Sequence, residues 1–196
     1  MPFSESEYTR LLYRRQFILG PRFVERNDTW KRYAVTDGLC ITAHPDLPVT
    51  VAENGDRKLL LLGYMLDPYH PDLDDDAILH GILGEIIRPA DIFQRTATLG
   101  GRWALIYADP DETWLMNDPM GLRQVVHTNG ALPELWCASQ PGTIAEELGL
   151  DPDPEVMERL VGAPEYREAL EYWWPGDLSP YSGIKHLLPN RYLDLK

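Results

Sequence analysis

Two cysteines are the strongest potential nucleophiles in this chain, and both lie in apolar runs. Cys40 sits in Gly38-Leu-Cys-Ile41 and Cys137 in Leu135-Trp-Cys-Ala138. That setting predicts buried free cysteines rather than a disulfide framework or a zinc site. His70-Pro-Asp72-Leu-Asp74-Asp-Asp76 gathers an imidazole and several carboxylates in one short stretch. An EF-type calcium loop needs oxygens at alternate positions, glycine at the sixth and a distal glutamate. Counted from Asp72, the sixth position is Ala77, so the stretch reads as an acidic helix N-terminus. The 5 histidines lack ligand spacing such as H-x-x-x-H, and no metal is expected. Neither G-x-x-x-x-G-K nor G-x-G-x-x-G occurs, so no nucleotide or other cofactor is expected. Pro2 would offer an amine base after removal of Met1, as in tautomerases, but the order of segments is not that of those small βαβ proteins. Tyr172-Trp173-Trp174-Pro175 is the remaining unusual cluster. Its rings either line a ligand groove or docking face, or pin the segment to the core.

Any such residues must be held by elements, and these are legible in outline. Ser4-Glu-Ser-Glu7 has capping-box spacing before Tyr8, Leu11 and Leu12, which predicts a short N-terminal helix. Strands are expected at 16–19, 32–35, 39–43, 49–52 and 58–62, with Asn54-Gly55 the strongest hairpin signal. Helices follow at 77–87, capped by Asp74-Asp-Asp76, and at 90–98 behind Pro89. Strands return at 102–108, 113–116, 124–127 and 134–137. Three helical segments, 143–148, 154–161 and 164–173, precede a last strand at 191–195. Short turns between successive strands predict antiparallel pairing rather than βαβ crossovers. Several strands are apolar on both faces, so helices should cover the sheets. No break in composition divides the chain, and a single domain over 1–196 is expected.

Composition narrows the partners. The chain has 196 residues, 44% hydrophobic and 25% charged, which is ordinary for a globular protein. Its 31 acids against 18 bases give a net charge of −13, which argues against nucleic acid, whose phosphates need clustered Lys and Arg. No basic amphipathic stretch suggests an anionic membrane surface. The first twenty residues carry charges throughout, and Leu59–Leu62 is too short an apolar run to span a bilayer. A cytoplasmic protein is expected, in which the acceptor-like Asn27-Asp-Thr29 would have no meaning.

The segment from Leu99 to Thr128 reads LGGRWALIYADPDETWLMNDPMGLRQVVHT. Its glycine–aromatic–alanine strand beginning at Gly101, the turn Asp109-Pro-Asp111, a second strand, and Asn117-Asp118-Pro-Met-Gly121-Leu-Arg123 follow one another. Downstream come Cys137-Ala-Ser139-Gln140 before a helix, and Ser182-Gly183-Ile-Lys-His-Leu-Leu-Pro189-Asn190 near the end. In order and spacing these pieces resemble the glutaminase domain of the asparagine synthase family, a type 2 amidotransferase. The matching motifs there are an RDxxGxxPxxY-like loop, an Ala-Ser-Glu step from strand to helix and a closing G-I-x-x-L-P-P-G. The resemblance covers about half the chain. It implies the N-terminal-nucleophile fold: α+β, a four-layer αββα sandwich of two antiparallel sheets. Gly101, Asp118, Gly121, Ser139, Gly183 and Pro189 are the motif positions it assigns, read here as structural. Asp118 is suited to accepting hydrogen bonds from turn amides, and Gly121 to a positive φ or a close backbone approach.

In that family the nucleophile is a terminal cysteine whose own α-amino group serves as the base. Here Met1-Pro2 begins the chain, and the strand best matching the family's first, Gln16-Phe-Ile-Leu-Gly20, lies behind an extension of residues 1–15. The family's Asn-Gly-Glu element corresponds to Leu62-Gly63-Tyr64-Met-Leu-Asp67, where only glycine survives. The motif arginine has become Asn117, and no clear Arg-Gly-Pro segment is found. The resemblance therefore implies no catalytic residue and a degenerate pocket near Gly63, Tyr64 and Asp67 that is dead and filled. It also implies a partner: an ATP-pyrophosphatase, synthetase-type domain in cis or trans, whose SGGxDS loop is absent here. The chain then stands as the first domain of a longer synthetase or as a separate subunit, with a homodimer as a further option. Two alternatives stay open. One is a stand-alone binding module for a small molecule or a protein. The other is a hydrolase activated by processing before Cys40, because Cys40-Ile-Thr-Ala faintly resembles the family's Cys-Gly-Ile-Ala start.

Overall fold

The computed structural model describes residues 7–8, 11, 13–25, 29–168 and 174–196. The outer parts of two expected helices, Ser4 to Ser6 and 169–173, lie outside them, as do Asn27 and Asp28 of the acceptor-like triplet. Among the described residues the strands form two sheets, with every pairing antiparallel. The first sheet has the order β10-β8-β9-β1-β3-β2. Its members are β1 (Phe17–Gly20), β2 (Lys31–Thr36), β3 (Leu39–Ala43), β8 (Val126–Thr128), β9 (Cys137–Ala138) and β10 (Ile184–His186). The second has the order β11-β7-β6-β5-β4. It contains β4 (Val49–Asn54), β5 (Arg57–Leu66), β6 (Gly100–Ala108), β7 (Thr113–Asn117) and β11 (Tyr192–Asp194).

Alternation along each strand sorts side chains into three apolar layers. Phe17, Leu19, Ile41 and Ala43 of the first sheet meet Leu60, Leu62, Ala104, Ile106 and Leu115 of the second. Leu59, Leu61, Leu105 and Tyr107 point the opposite way. They pack on Ile78, Leu79, Ile82 and Leu83 of α1 (Asp75–Glu85) and on Ile92 of α2 (Asp91–Thr96). On the far face of the first sheet, Ile18, Val126, Trp136 and Ile184 are covered by Ile144 and Ala145 of α3 (Pro141–Leu148). Helix, sheet, sheet, helix is therefore the layering, the expected α+β sandwich of two antiparallel sheets. Each fully buried leucine in it contributes about 2 kcal/mol of hydrophobic stabilisation. No helix among the described residues is long and apolar enough to cross a membrane.

Local chemistry explains the element ends, and several depart from expectation. Asp74 caps α1 by accepting from the Ala77 amide at 2.9 Å, while Asp75 Oδ1 accepts from Met65 N at 2.7 Å. The acidic stretch thus ties α1 to the end of β5. Asn54 pairs with Arg57 across a turn at Gly55, where φ is 61°. β5 runs to Leu66, four residues past the expected end, because Gly63 continues the ladder opposite Trp103 and Met65 opposite Gly101. β9 is shorter than expected, since the Thr128 hydroxyl takes the Trp136 amide at 2.9 Å in place of a ladder partner. β10 was not foreseen, being three residues within the Gly183 segment. The helix expected over 154–161 starts as α4 (Pro154–Val156), capped by Asp153, and widens into a π-helical turn at Met157–Val161. There Gly162 N donates to Met157 O at 3.1 Å. A further short helix, α5, spans Pro164–Glu168.

Candidate functional site

The Asp118 loop and Ser139, distant in sequence, come together near the head of β1, whereas Gly183 lies beside Asn129, towards the other end of that strand. Asp118, at the end of β7, is 1% exposed. Its Oδ1 accepts from Leu122 N at 2.9 Å and Met120 N at 3.2 Å. Its Oδ2 accepts from Arg123 N at 2.7 Å and, longer, from Trp103 N at 3.4 Å. One carboxylate thus holds the whole loop closed. Gly121 adopts φ 67°, and a Cβ there would stand 2.8 Å from Pro189 Cγ, so two motif residues sixty-eight positions apart meet in space. Gly183 O accepts the Asn129 amide at 2.9 Å. Ser139 Oγ accepts from Phe17 N at 3.1 Å and locks β9 to the first residue of β1.

The loop that Asp118 closes delivers Arg123 into a cleft of about 380 Å³, whose lining includes Arg15, Gln16, Tyr64, Arg102 and Ser139. Arg123 is 6% exposed. Its Nη1 donates to the Arg15 carbonyl at 3.1 Å, whereas its Nε is buried without a partner. Burial, aided by Arg102 and Arg15, lowers its pKa to about 10, against the pull of Asp118 and Tyr64. Arg15 and Arg102 are exposed, and among the described residues neither side chain enters an ion pair. Gln16 Oε1 is also buried without a partner. Backbone geometry makes this room: Gly63 has φ 122°, and a Cβ there would lie 2.1 Å from Arg102 O and 3.2 Å from Arg123 Nη2.

The expected filled pocket is therefore a correction: Tyr64 is half-exposed at the cleft's edge, and the space is open and lined by arginines. A strand register that sets Tyr64 opposite Arg102 is the reason. Asp67 does not join it. Beyond β5 it accepts from the Tyr69 and His70 amides and contacts His70 Nδ1 at 3.0 Å, with its pKa lowered first by that imidazole. The three arginines were not singled out by sequence reasoning. Arg102 alone left a signal, a long cation inside an otherwise apolar strand.

Other candidates fall elsewhere. Cys137 is buried in the core, and burial pushes its thiol well above the ordinary range. Cys40 is half-buried rather than buried, in mid-β3 between Gly20 of β1 and Ala34 of β2. A cut before it would sever β2 from β3, and the geometry lends the processing route no support. Tyr172 and Trp173 lie outside the described residues. Trp174 is half-buried, its ring 5.9 Å from that of Tyr166. A larger groove, about 1050 Å³, lies among turns bearing Asp37, Asp56, Asp109 and Lys196, where Asp109 accepts from the Tyr107 hydroxyl at 2.6 Å and from the Asp111 and Glu112 amides.

In chemical terms the cleft at β1 can hold negative charge. Its described lining holds no thiol, and its serine hydroxyl is engaged by the β1 backbone. The chain matches no protein-family model and no curated protein. Among solved structures it is similar to the glutamine phosphoribosylpyrophosphate amidotransferase from B. subtilis, complexed with ADP and GMP. Identity is 16%, the TM-score is 0.45, and the match covers 72% of this chain and 40% of that one.

Proposed function

We propose that this chain is a glutaminase-like domain of the asparagine-synthase type that does not hydrolyse glutamine. Its role is structural or regulatory, serving an ATP-dependent, amide-forming domain of synthetase type in cis or in trans. One observation supports this most directly. At the head of β1, where the family chemistry needs a thiol and a free amine on one residue, stands Gln16, an internal residue. The chain leading into it is fastened: Arg14 pairs with Asp46 at 2.8 Å, the Tyr13 hydroxyl donates to Glu146 Oε1 at 2.8 Å, and the Arg15 carbonyl receives Arg123. The reading is supported by strands β1, β3 and β9 formed around a residue, Gln16, whose side chain offers neither a thiol nor a base.

The test is ammonia release from glutamine by the purified protein, with and without a candidate synthetase domain. No release above a heat-denatured control is expected in either case. Turnover of glutamine would overturn the proposal. For the partner role, mixing with the domain encoded beside or after this one should give a complex on size-exclusion chromatography, and independent elution would count against it.

A further inference from the structure

We propose that the cleft formed by Arg15, Arg102 and Arg123 binds a small, multiply charged oxyanion of the phosphate or pyrophosphate type. This goes beyond the reading above and does not depend on any partner domain. Three observations meet here. First, the protein carries a net charge of −13, yet four arginines line one cleft, and beside Arg14, which pairs with Asp46, stand Arg15, Arg102 and Arg123. A surface so acidic has ample carboxylates to neutralise them, and among the described residues none forms an ion pair with any of the three. The one acid near Arg123, Asp118, already accepts from four backbone amides.

Second, Arg123 is nine-tenths buried, with Nε unpartnered and only Nη1 bonded. A buried cation in this state is held at a cost unless a counter-ion completes it. Guanidinium presents a planar fork of donors that matches phosphate oxygens two at a time. Third, the cleft is open at about 380 Å³, and Gly63 keeps side-chain atoms away from Arg123 Nη2. Charge decides the ligand class. A monocarboxylate would offset one of three cations, whereas phosphate or pyrophosphate carries two or more negative charges. Tyr64 adds a hydroxyl-bearing ring to the lining.

Isothermal titration calorimetry on the whole protein tests this, with inorganic phosphate, inorganic pyrophosphate and ADP as separate probes in chloride buffers of matched ionic strength. Saturable binding of pyrophosphate is expected. If ADP binds at least as tightly, the anion's source is a nucleotide; if only the inorganic ions bind, it is the free anion. Arg102→Gln alters an exposed side chain and should leave folding intact while weakening the tightest probe by roughly tenfold or more, the loss of one charge-assisted contact. Arg15→Gln should act likewise. No saturable heat with any probe, or unchanged affinity in both variants, would overturn the assignment. So would equal binding of chloride, because screening alone would then explain the effect.

Discussion

Asp118 and Arg123 are five residues apart on one loop, both almost wholly buried and both charged, yet the protein treats them in opposite ways. Asp118 spends its carboxylate on four amides of its own backbone. A charge enclosed in this way is a structural tie, since everything it needs comes from the chain around it. The Arg123 side chain makes a single hydrogen bond among the described residues, to the Arg15 carbonyl, and is pushed by two like charges. Burial alone therefore does not tell a structural charge from one kept for a ligand. The number of partners does.

The contrast is sharpest at Asp118. Asp118→Ala would leave several loop amides buried without acceptors, each costing about 1–3 kcal/mol. A loss of on the order of 3 kcal/mol or more in urea denaturation is expected, and a loss below about 1 kcal/mol would break the comparison. Next in size is Gly63→Ala. Its φ of 122° is unfavourable for an L side chain, and the new Cβ would meet Arg102 O at 2.1 Å. Strain and backbone displacement should cost about 2 kcal/mol, read as a lower urea midpoint at unchanged slope. Arg123→Met is the smallest. Without ligand it removes a desolvated, repelled cation and one hydrogen bond, so stability should shift by no more than about 1 kcal/mol, in either direction. A loss as large as that of Asp118→Ala would make Arg123 a structural tie too, and the distinction between the two would fall.

Much of the framework was legible before any coordinates. Alternating apolar residues and the signals at Asn54-Gly55 and Asp74 placed most strands and α1, because those patterns depend only on nearest neighbours. The continuation of β5 through Gly63 was not legible. A glycine with positive φ reads locally as a stop, and only the ladder with β6 carries the strand onward. Nor was β10, three residues whose extended form is held by β8 across the sheet.

The site divides along the same line. Residue types alone determined that Gln16, and not a cysteine, stands at the head of β1, since that concerns only identity and position. The resemblance, carried by residue types, put forward Gly101, Asp118, Gly121, Ser139, Gly183 and Pro189 as motif positions. Whether the space beside Tyr64 is filled was decided by tertiary structure. Arg15 precedes β1, Arg102 lies in β6 and Arg123 follows β7, so their approach depends on sheet register and on the Asp118 turn. Like charges repel, and no local rule brings three arginines together. Only a packed framework, stabilised elsewhere by the burial of its three apolar layers, can hold them in one cleft.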